Sequence, residues 1–432
     1  MKHLSKIVSI FLLIIGSTHA QQEKGIIGNS NWLSSWTEFK PDVVEYNEAT
    51  EILTGIISTD TKLLKRNTYM LLGDVFVTDG AVLTIEPGTV IIGDFKTKGS
   101  LTITKGSTII ANGLETDPII FTSNRSVKKA GDWGGIIILG DAPINTYGNG
   151  VLTGYNFATD ASIDISYGGE NLESNAGILR YVRIEYAGKR TKDGNNFNAL
   201  LLAGLGTETT IDNVMVSYSA GNSFDIYGGE LYLEKLVSYK SNRIDYNFNY
   251  GTQCNLFNSL AVRSSYVSSS KGSRCMNVAS YEKGQDVSSV KQETAVTALN
   301  LTLVNVSDDL DYEIKLDLVK EAVFIGNDAS LSMKESVVSG FSPAVIIDSD
   351  VRVNNESLKK IVFQKMYFNN CNGNIFKEYN SNNEDLENWY GNSSFFNVYS
   401  KGLDSETFID IKNDNRLDFR LRINKILASN ID

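Results

Sequence analysis

Leu83-Thr-Ile-Glu-Pro-Gly88-Thr-Val-Ile-Ile92 recurs eighteen residues later as Leu101-Thr-Ile-Thr-Lys-Gly106-Ser-Thr-Ile-Ile110, with Leu83, Ile85, Gly88, Ile91 and Ile92 all repeated. Each copy has an alternating Leu-x-Ile strand, a glycine turn and a second strand rich in β-branched residues. Neither has the 3.6-residue period of a helix. The length of 432 residues suggests two or three domains, but a repeat of this kind takes precedence over that division.

The rhythm continues outward from this pair. Val216-Ser217-Tyr218-Ser219 is echoed by Val237-Ser238-Tyr239-Lys240 at an offset of twenty-one, and short strand-like runs follow at Leu256-Phe257, Met276 to Ala279, Leu299 to Val304, Ser330 to Val338 and Ile361 to Phe363. Short strands, Gly and Asn at the corners and few prolines are what a right-handed parallel β-helix requires, an all-β solenoid in which each coil turns its corners and stacks on the coil below. A coil buries only half of its apolar residues in the bore, and its backbone is satisfied by neighbours about 4.8 Å away, so no coil is stable alone. At roughly 20 residues per coil, the chain predicts about 12 to 14 coils, fewer where insertions lengthen them. The shift of offset from eighteen to twenty-one predicts wider coils toward the C-terminal half. The open ends of such a rod are exposed sheet edges that need covers. The predicted layout is a leader over residues 1–20, an N-terminal cap over 21–67 with Trp32, Trp36, Phe39 and Pro41, the β-helix over 68–370, and a C-terminal cap over 371–432. Leu417 to Leu427 reads as a strand or a short closing helix. Ser123 to Ala130 and Gly188 to Asn198 interrupt the rhythm and are expected to project as polar loops from one face.

Lys2 and Lys6, the apolar stretch Ile7 to Ile15 and Thr18-His19-Ala20 have the layout of a secretory leader with cleavage after Ala20. No later segment approaches the roughly 18 consecutive apolar residues of a membrane-spanning helix. The formal charge of −11 becomes more negative when the two leader lysines are removed, and no basic cluster reverses it locally, which argues against a nucleic-acid partner. The chain's two histidines, His3 and His19, both fall within the predicted leader. A mature chain beginning after Ala20 therefore has no imidazole to serve as general base, triad member or metal ligand.

Candidate chemistry is sparse. Tyr218, Asp225, Tyr227, Tyr239, Asp245 and Tyr246 form the best binding set. If their face is outward, stacked rings and carboxylates suit a sugar chain; if inward, they are core. Asp308, Asp309 and Asp311 form the one dense acidic run. It suits a calcium site, a carboxylate pair or, more simply, a solvated turn before a strand-like stretch from Tyr312 to Leu316. Cys254 and Cys275, twenty-one apart, are expected to stack one coil apart, where they would form a disulfide or fill the bore as two small apolar residues. Cys371 is left as a buried thiol. Trp133, in Gly131-Asp132-Trp133-Gly134-Gly135, reads as architectural, covering a corner that the glycines allow to be tight.

The runs Leu83 to Ile91, Pro118-Ile-Ile-Phe-Thr-Ser123, Gly131 to Gly140 and Leu179-Arg-Tyr-Val-Arg-Ile-Glu-Tyr-Ala-Gly188, with Ile211-Asp212, Gly228-Gly229 and the Trp32/Trp36 segment, resemble the secreted right-handed β-helix proteins of Bacteroidota cell surfaces. The resemblance covers roughly residues 25–260, and Gly-Asp-Trp-Gly-Gly is its most specific part. It implies export to the outer surface and, often, a partner TonB-dependent outer-membrane receptor; it implies no established activity. Relatives carry acidic runs near Gly221 to Asp225 and Ser241 to Asp245, where this chain has Asn, Ser and Arg. The resulting expectation is a non-enzymatic exported protein that needs no cofactor and binds a glycan or other extracellular ligand, or assists uptake. The alternatives are a carboxylate- and calcium-dependent polysaccharide lyase or hydrolase, and an adhesin-like structural rod.

Overall fold

Leu63, Ile85, Ala111, Leu179, Ile211, Leu233, Leu256, Ala298, Met333 and Phe363 stand one above another in register along a single parallel sheet, and every one is buried. This column of aliphatic and aromatic side chains is one wall of a continuous bore. A computed structural model describes residues 24–155, 157, 163–268, 272–281, 288, 291–380, 383–413 and 416–429. The predicted leader, residues 1–20, lies outside the described residues.

Three parallel sheets enclose the bore of a right-handed β-helix. A representative coil runs through Glu230–Glu234 in the first sheet, Val237–Tyr239 in the second and Tyr246–Asn249 in the third, and then Gln253–Phe257 pairs on Glu230–Glu234 to begin the next. Among the described residues, ten coils visit all three sheets. The corner between the first and second sheets is a single left-handed residue in seven successive coils: Tyr181, Asn213, Lys235, Asn258, Asn300, Glu335 and Lys365. Asn tolerates that conformation well and Tyr, Lys and Glu adopt it at some cost, which the stacked strands on either side offset.

The repeat that reveals the fold does not measure its coil. Leu83 stacks under Ile109 in the first sheet, whereas Leu101 stacks under Ile136 in the third. The first decapeptide thus spans the first and second faces of one coil, and the second spans that coil's third face and the first face of the next. They look alike because every face needs the same inward alternation. Val216 likewise pairs with Ser238, one residue beyond its echo at Val237. Coil length does not rise steadily toward the C-terminus but follows the corner loops: 22 residues from Leu63 to Ile85, 68 from Ala111 to Leu179, 22 from Ile211 to Leu233 and 30 from Met333 to Phe363. The longest early loop, residues 140–176, carries its own two-stranded hairpin of Gly150–Val151 and Ser166–Tyr167. The two loops expected from one face do share a corner, between the second and third sheets of successive coils. Trp133 closes that corner from within. It is fully buried, stacks on Phe121 at 6.2 Å and donates its indole N–H to the Glu185 carbonyl at 2.7 Å. Gly135, at φ +112°, admits the chain here, because a Cβ would lie 2.3 Å from the Asn198 carbonyl oxygen.

The parallel pairing starts at Glu51 and extends to Ser400, beyond the expected bounds on both sides. The segment expected to wrap the first coil runs lengthwise along the rod as a strap. Gly25 N–H donates to the Glu335 carbonyl, Ile26 N–H to Thr302 Oγ1 and Ile27 N–H to Asn258 Oδ1, while Tyr46 Oη accepts from Arg183 at 2.8 Å much nearer the N-terminal end. The reason is the outer face of the second sheet, where Met215, Val237, Tyr239, Leu260, Val262, Val304 and Val337 are apolar and need cover. Ile26, Leu33, Trp36 and Phe39 of the strap provide it, each burial contributing about 1.5–3 kcal/mol. The C-terminal tail divides its work. Helix Glu384–Tyr390 places Leu386 and Tyr390 on the end of the bore. Leu417 to Leu427 is both expected alternatives in turn: strand Asp418–Leu421 pairs antiparallel with Phe408–Asp410, and helix Ile423–Ser429 follows. This hairpin clasps the strap, with Asn31 Nδ2 donating to the Leu417 carbonyl at 2.7 Å and Arg420 to the Gly28 carbonyl at 2.7 Å.

Candidate binding groove

The outward column of the third sheet changes character along the rod. Ile137 and Leu201 are followed in register by Asp225, Asn247, Asn277 and Phe324. The polar part of this column forms the floor of a groove of about 860 Å³. Asp225 is 1 % exposed and its carboxylate accepts from Asn198 Nδ2 and Asn247 Nδ2, and Asn277 Nδ2 donates to Asn247 Oδ1 at 2.8 Å. Asn198 Nδ2 also donates to Tyr155 Oη at 3.1 Å. Amides of successive coils thus chain toward one buried carboxylate, holding each other's rotamers.

Arginines and rings form the sides. Arg274 pairs with Glu321 at 2.8 Å and lies 4.5 Å from the centre of the Phe324 ring; burial lowers its pKa from the ordinary value. Arg243 lines the groove, and its charge, like that of Asp225, acts on the Tyr155 hydroxyl, whose pKa burial drives well above the ordinary phenol value. Tyr227 packs edge-on to Tyr250 at 4.8 Å and tilts against Tyr167 at 6.1 Å. Tyr281, Asp348, Asp350 and Glu378 line the far end. The arrangement is a long polar trough with aromatic sides, able to hydrogen-bond hydroxyls and pack on ring faces.

The six residues expected to bind together are distributed over four surroundings. Asp225 and Tyr227 line the groove. Tyr218 and Tyr239 are on the outer face of the second sheet and touch edge to face at 5.7 Å, but the strap covers them: Phe39 packs 4.9 Å from Tyr239 and its carbonyl accepts from Tyr218 Oη. Asp245 is buried at a corner, ion-paired with Arg263 at 2.9 Å, its pKa raised by burial against the pull of that arginine. Tyr246 points into the bore, stacked on Phe224 at 5.4 Å with its hydroxyl between the Leu236 and Leu260 carbonyls. Register, one residue at a time, decides which side of the wall a side chain takes.

The acidic run is a helix start. Asp309 caps helix Leu310–Lys315 by accepting from Tyr312 N–H, so Tyr312 to Lys315 is helical, with Leu316 as its C-cap, where a strand was expected. Asp308 precedes that cap and Asp311 sits in its first turn. Among the described residues no three His, Cys, Asp or Glu side chains come together as a metal site. Cys254 and Cys275 are both free and buried. Cys254 stacks between Leu231 and Val296 in the first sheet, while Cys275 precedes the third-sheet strand Met276–Val278 of the same coil. Twenty-one residues carry the chain across two corners, not once around, so the pair is not stacked one coil apart; of the two alternatives, both thiols are free and fill the bore. Burial pushes both thiols up, and raises that of Cys371 to about 12.

Asn198, Asn247, Asn277, Tyr155 and Arg274 had no motif to mark them. Their signal is positional, the replacement of Ile137 and Leu201 by Asp225 and Asn247 in one outward column, and it is visible only once the register is known.

The molecule is thus a right-handed parallel β-helix with a polar groove on one outer sheet face. Residues 55–406 match the family model described as a pectate-lyase-like beta helix domain, which covers more than half of the chain, and the chain belongs to that family. No curated protein and no solved structure matches it.

Proposed function

We propose that this is an exported, non-enzymatic cell-surface β-helix that binds a glycan in the third-sheet groove. The observation that carries the reading is the outward column of Asp225, Asn247 and Asn277, hydrogen-bonded from coil to coil and flanked by Tyr227, Tyr250 and Phe324. Planar amides on a parallel ladder present donors and acceptors at the coil spacing, about 4.8 Å, close to one pyranose ring per coil. Aromatic sides take the apolar faces of those rings. Export and a TonB-dependent receptor as partner suit this reading: a surface protein that holds a polysaccharide segment would present it for uptake. A glycan array probed with the wild-type chain and Asn247→Ala tests it. Binding that is lost in the variant supports the reading, and equal signals overturn it.

A second reading, a polysaccharide lyase or hydrolase, draws on Asp225 and Arg243 lining the same groove, with Asp348, Asp350 and Glu378 beyond. A lyase would use arginine as the base beside a carboxylate-held calcium ion. Sustained release of unsaturated or reducing ends from a bound polysaccharide, abolished by Arg243→Ala, would establish it over the first.

A further inference from the structure

Among the described residues, the groove is closed at one end. On the coils before Asp225, the outward positions Ile137, Leu139, Leu201 and Ala203 are completely buried. Leu152 and Tyr167 of the 140–176 loop and Phe197 of the neighbouring corner lie over them. Tyr155 packs edge-on to Phe197 at 4.5 Å, and Phe157 stacks on Tyr155 at 5.7 Å. This apolar wall stops where the column turns polar. In the other direction the trough continues over the coils that carry Asn277, Phe324, Asp348 and Glu378.

We infer that the groove receives the terminus of a linear glycan and not its interior, with the last sugar against the Tyr155–Phe197 wall and the chain laid along the coils toward Glu378. The inference rests on the glycan reading above and adds to it which part of the polymer is recognised. A glycan crossing the groove by its interior would have to continue over Leu201 and Ile137, a surface already filled by packed side chains that would have to be displaced. A terminal sugar needs no such opening. It also brings a hydroxyl that an interior unit lacks, and the polar atoms gathered beside the wall, those of Asn198, Asp225 and Arg243, are of the kind that bind it. From the Asp225 coil to the Glu378 coil is five stacking steps, roughly 24 Å, enough for roughly five sugars.

The test uses the full chain and defined linear oligosaccharides of two to eight units from cellulose, xylan, mannan, chitin, pectate and alginate. Each is offered free, blocked by a bulky fluorophore at the reducing end, blocked at the non-reducing end, and blocked at both, with affinities measured by titration. For the series that binds, blocking one particular end weakens binding at least about tenfold, blocking the other changes it less than about twofold, and affinity stops rising near five units. Tyr155→Ala, which opens the wall, reduces the penalty of the sensitive block. Doubly blocked ligands that bind as tightly as free ones overturn the inference while leaving the glycan reading intact. Binding that Asn247→Ala does not change, or the binding of no series, removes the glycan reading itself and the inference with it.

Discussion

Asn277 Nδ2 donates to Asn247 Oδ1 at 2.8 Å across a coil boundary, and Asn247 in turn donates to the buried Asp225 carboxylate. The pair transmits order, since the orientation of each amide is set by the next. Replacing Asn247 with Ala removes a donor from a carboxylate that is almost wholly buried, at a cost of about 1–3 kcal/mol. Asn247→Asp places a second carboxylate against Asp225 and costs more. Urea unfolding of the three proteins checks the order, wild type above Asn247→Ala above Asn247→Asp.

The strap is a separable layer. Trp36 is 1 % exposed, stacked near Trp32 and set edge-on against Tyr181 at 5.9 Å. Trp36→Ala is expected to cost about 3–5 kcal/mol locally. Amide hydrogen exchange should then rise along residues 25–40 and over Val237–Tyr239 beneath them, while bore strands such as Gln253–Phe257 keep their protection. Uniform loss of protection would mean that strap and rod unfold together.

Glu185 gives the fold a pH dependence. It is 1 % exposed, burial raises its pKa from 4.5 to about 7, and Arg183 Nε at 3.4 Å opposes the rise. Between those values the folded chain keeps a proton that the unfolded chain releases. The stability it contributes is therefore fully present below about 4.5 and lost as the pH rises through about 7, at most on the order of 3 kcal/mol. Glu185→Gln should match wild type in melting temperature near pH 5 and exceed it near pH 8. A constant difference across that range would show that Glu185 does not titrate there.

The three thiols offer a chemical check. Cys254, Cys275 and Cys371 are free and buried, with raised pKa values. A thiol reagent should label none of them in the native protein and all three once it is denatured without reductant, and reductant should leave the melting temperature unchanged. Labelling of Cys371 alone after denaturation would mean that Cys254 and Cys275 are bonded after all.

What the residues revealed and what they concealed have the same cause. Leu83-Thr-Ile and Leu101-Thr-Ile announce a β-helix because every face of every coil obeys one inward alternation, and for that same reason they cannot say which face each belongs to. Trp133 was legible because Gly-Asp-Trp-Gly-Gly is local. Asp225 and Tyr227 line one groove, and the structure separates Tyr218, Tyr239, Asp245 and Tyr246 from them, because corner residues such as Tyr218, at φ +54°, break the even count on which an in-or-out assignment depends. The strap's path was hidden for a different reason. Its partners lie as far off as Glu335 and Leu417, and nothing within residues 21–50 encodes the spacing of the coils they meet.

That path also orders events in time. The strap precedes the coils in sequence, yet its anchors include Thr302, Glu335 and Leu417, hundreds of residues further along. Each coil can pair on the one before it, whereas Trp36 and Phe39 have no covering role until the second sheet and the tail hairpin exist. The strap is therefore the last of these elements to find its place. The meeting of Asn31 with Leu417 is thereby a late step, and a chain that stops short of Leu417 cannot perform it.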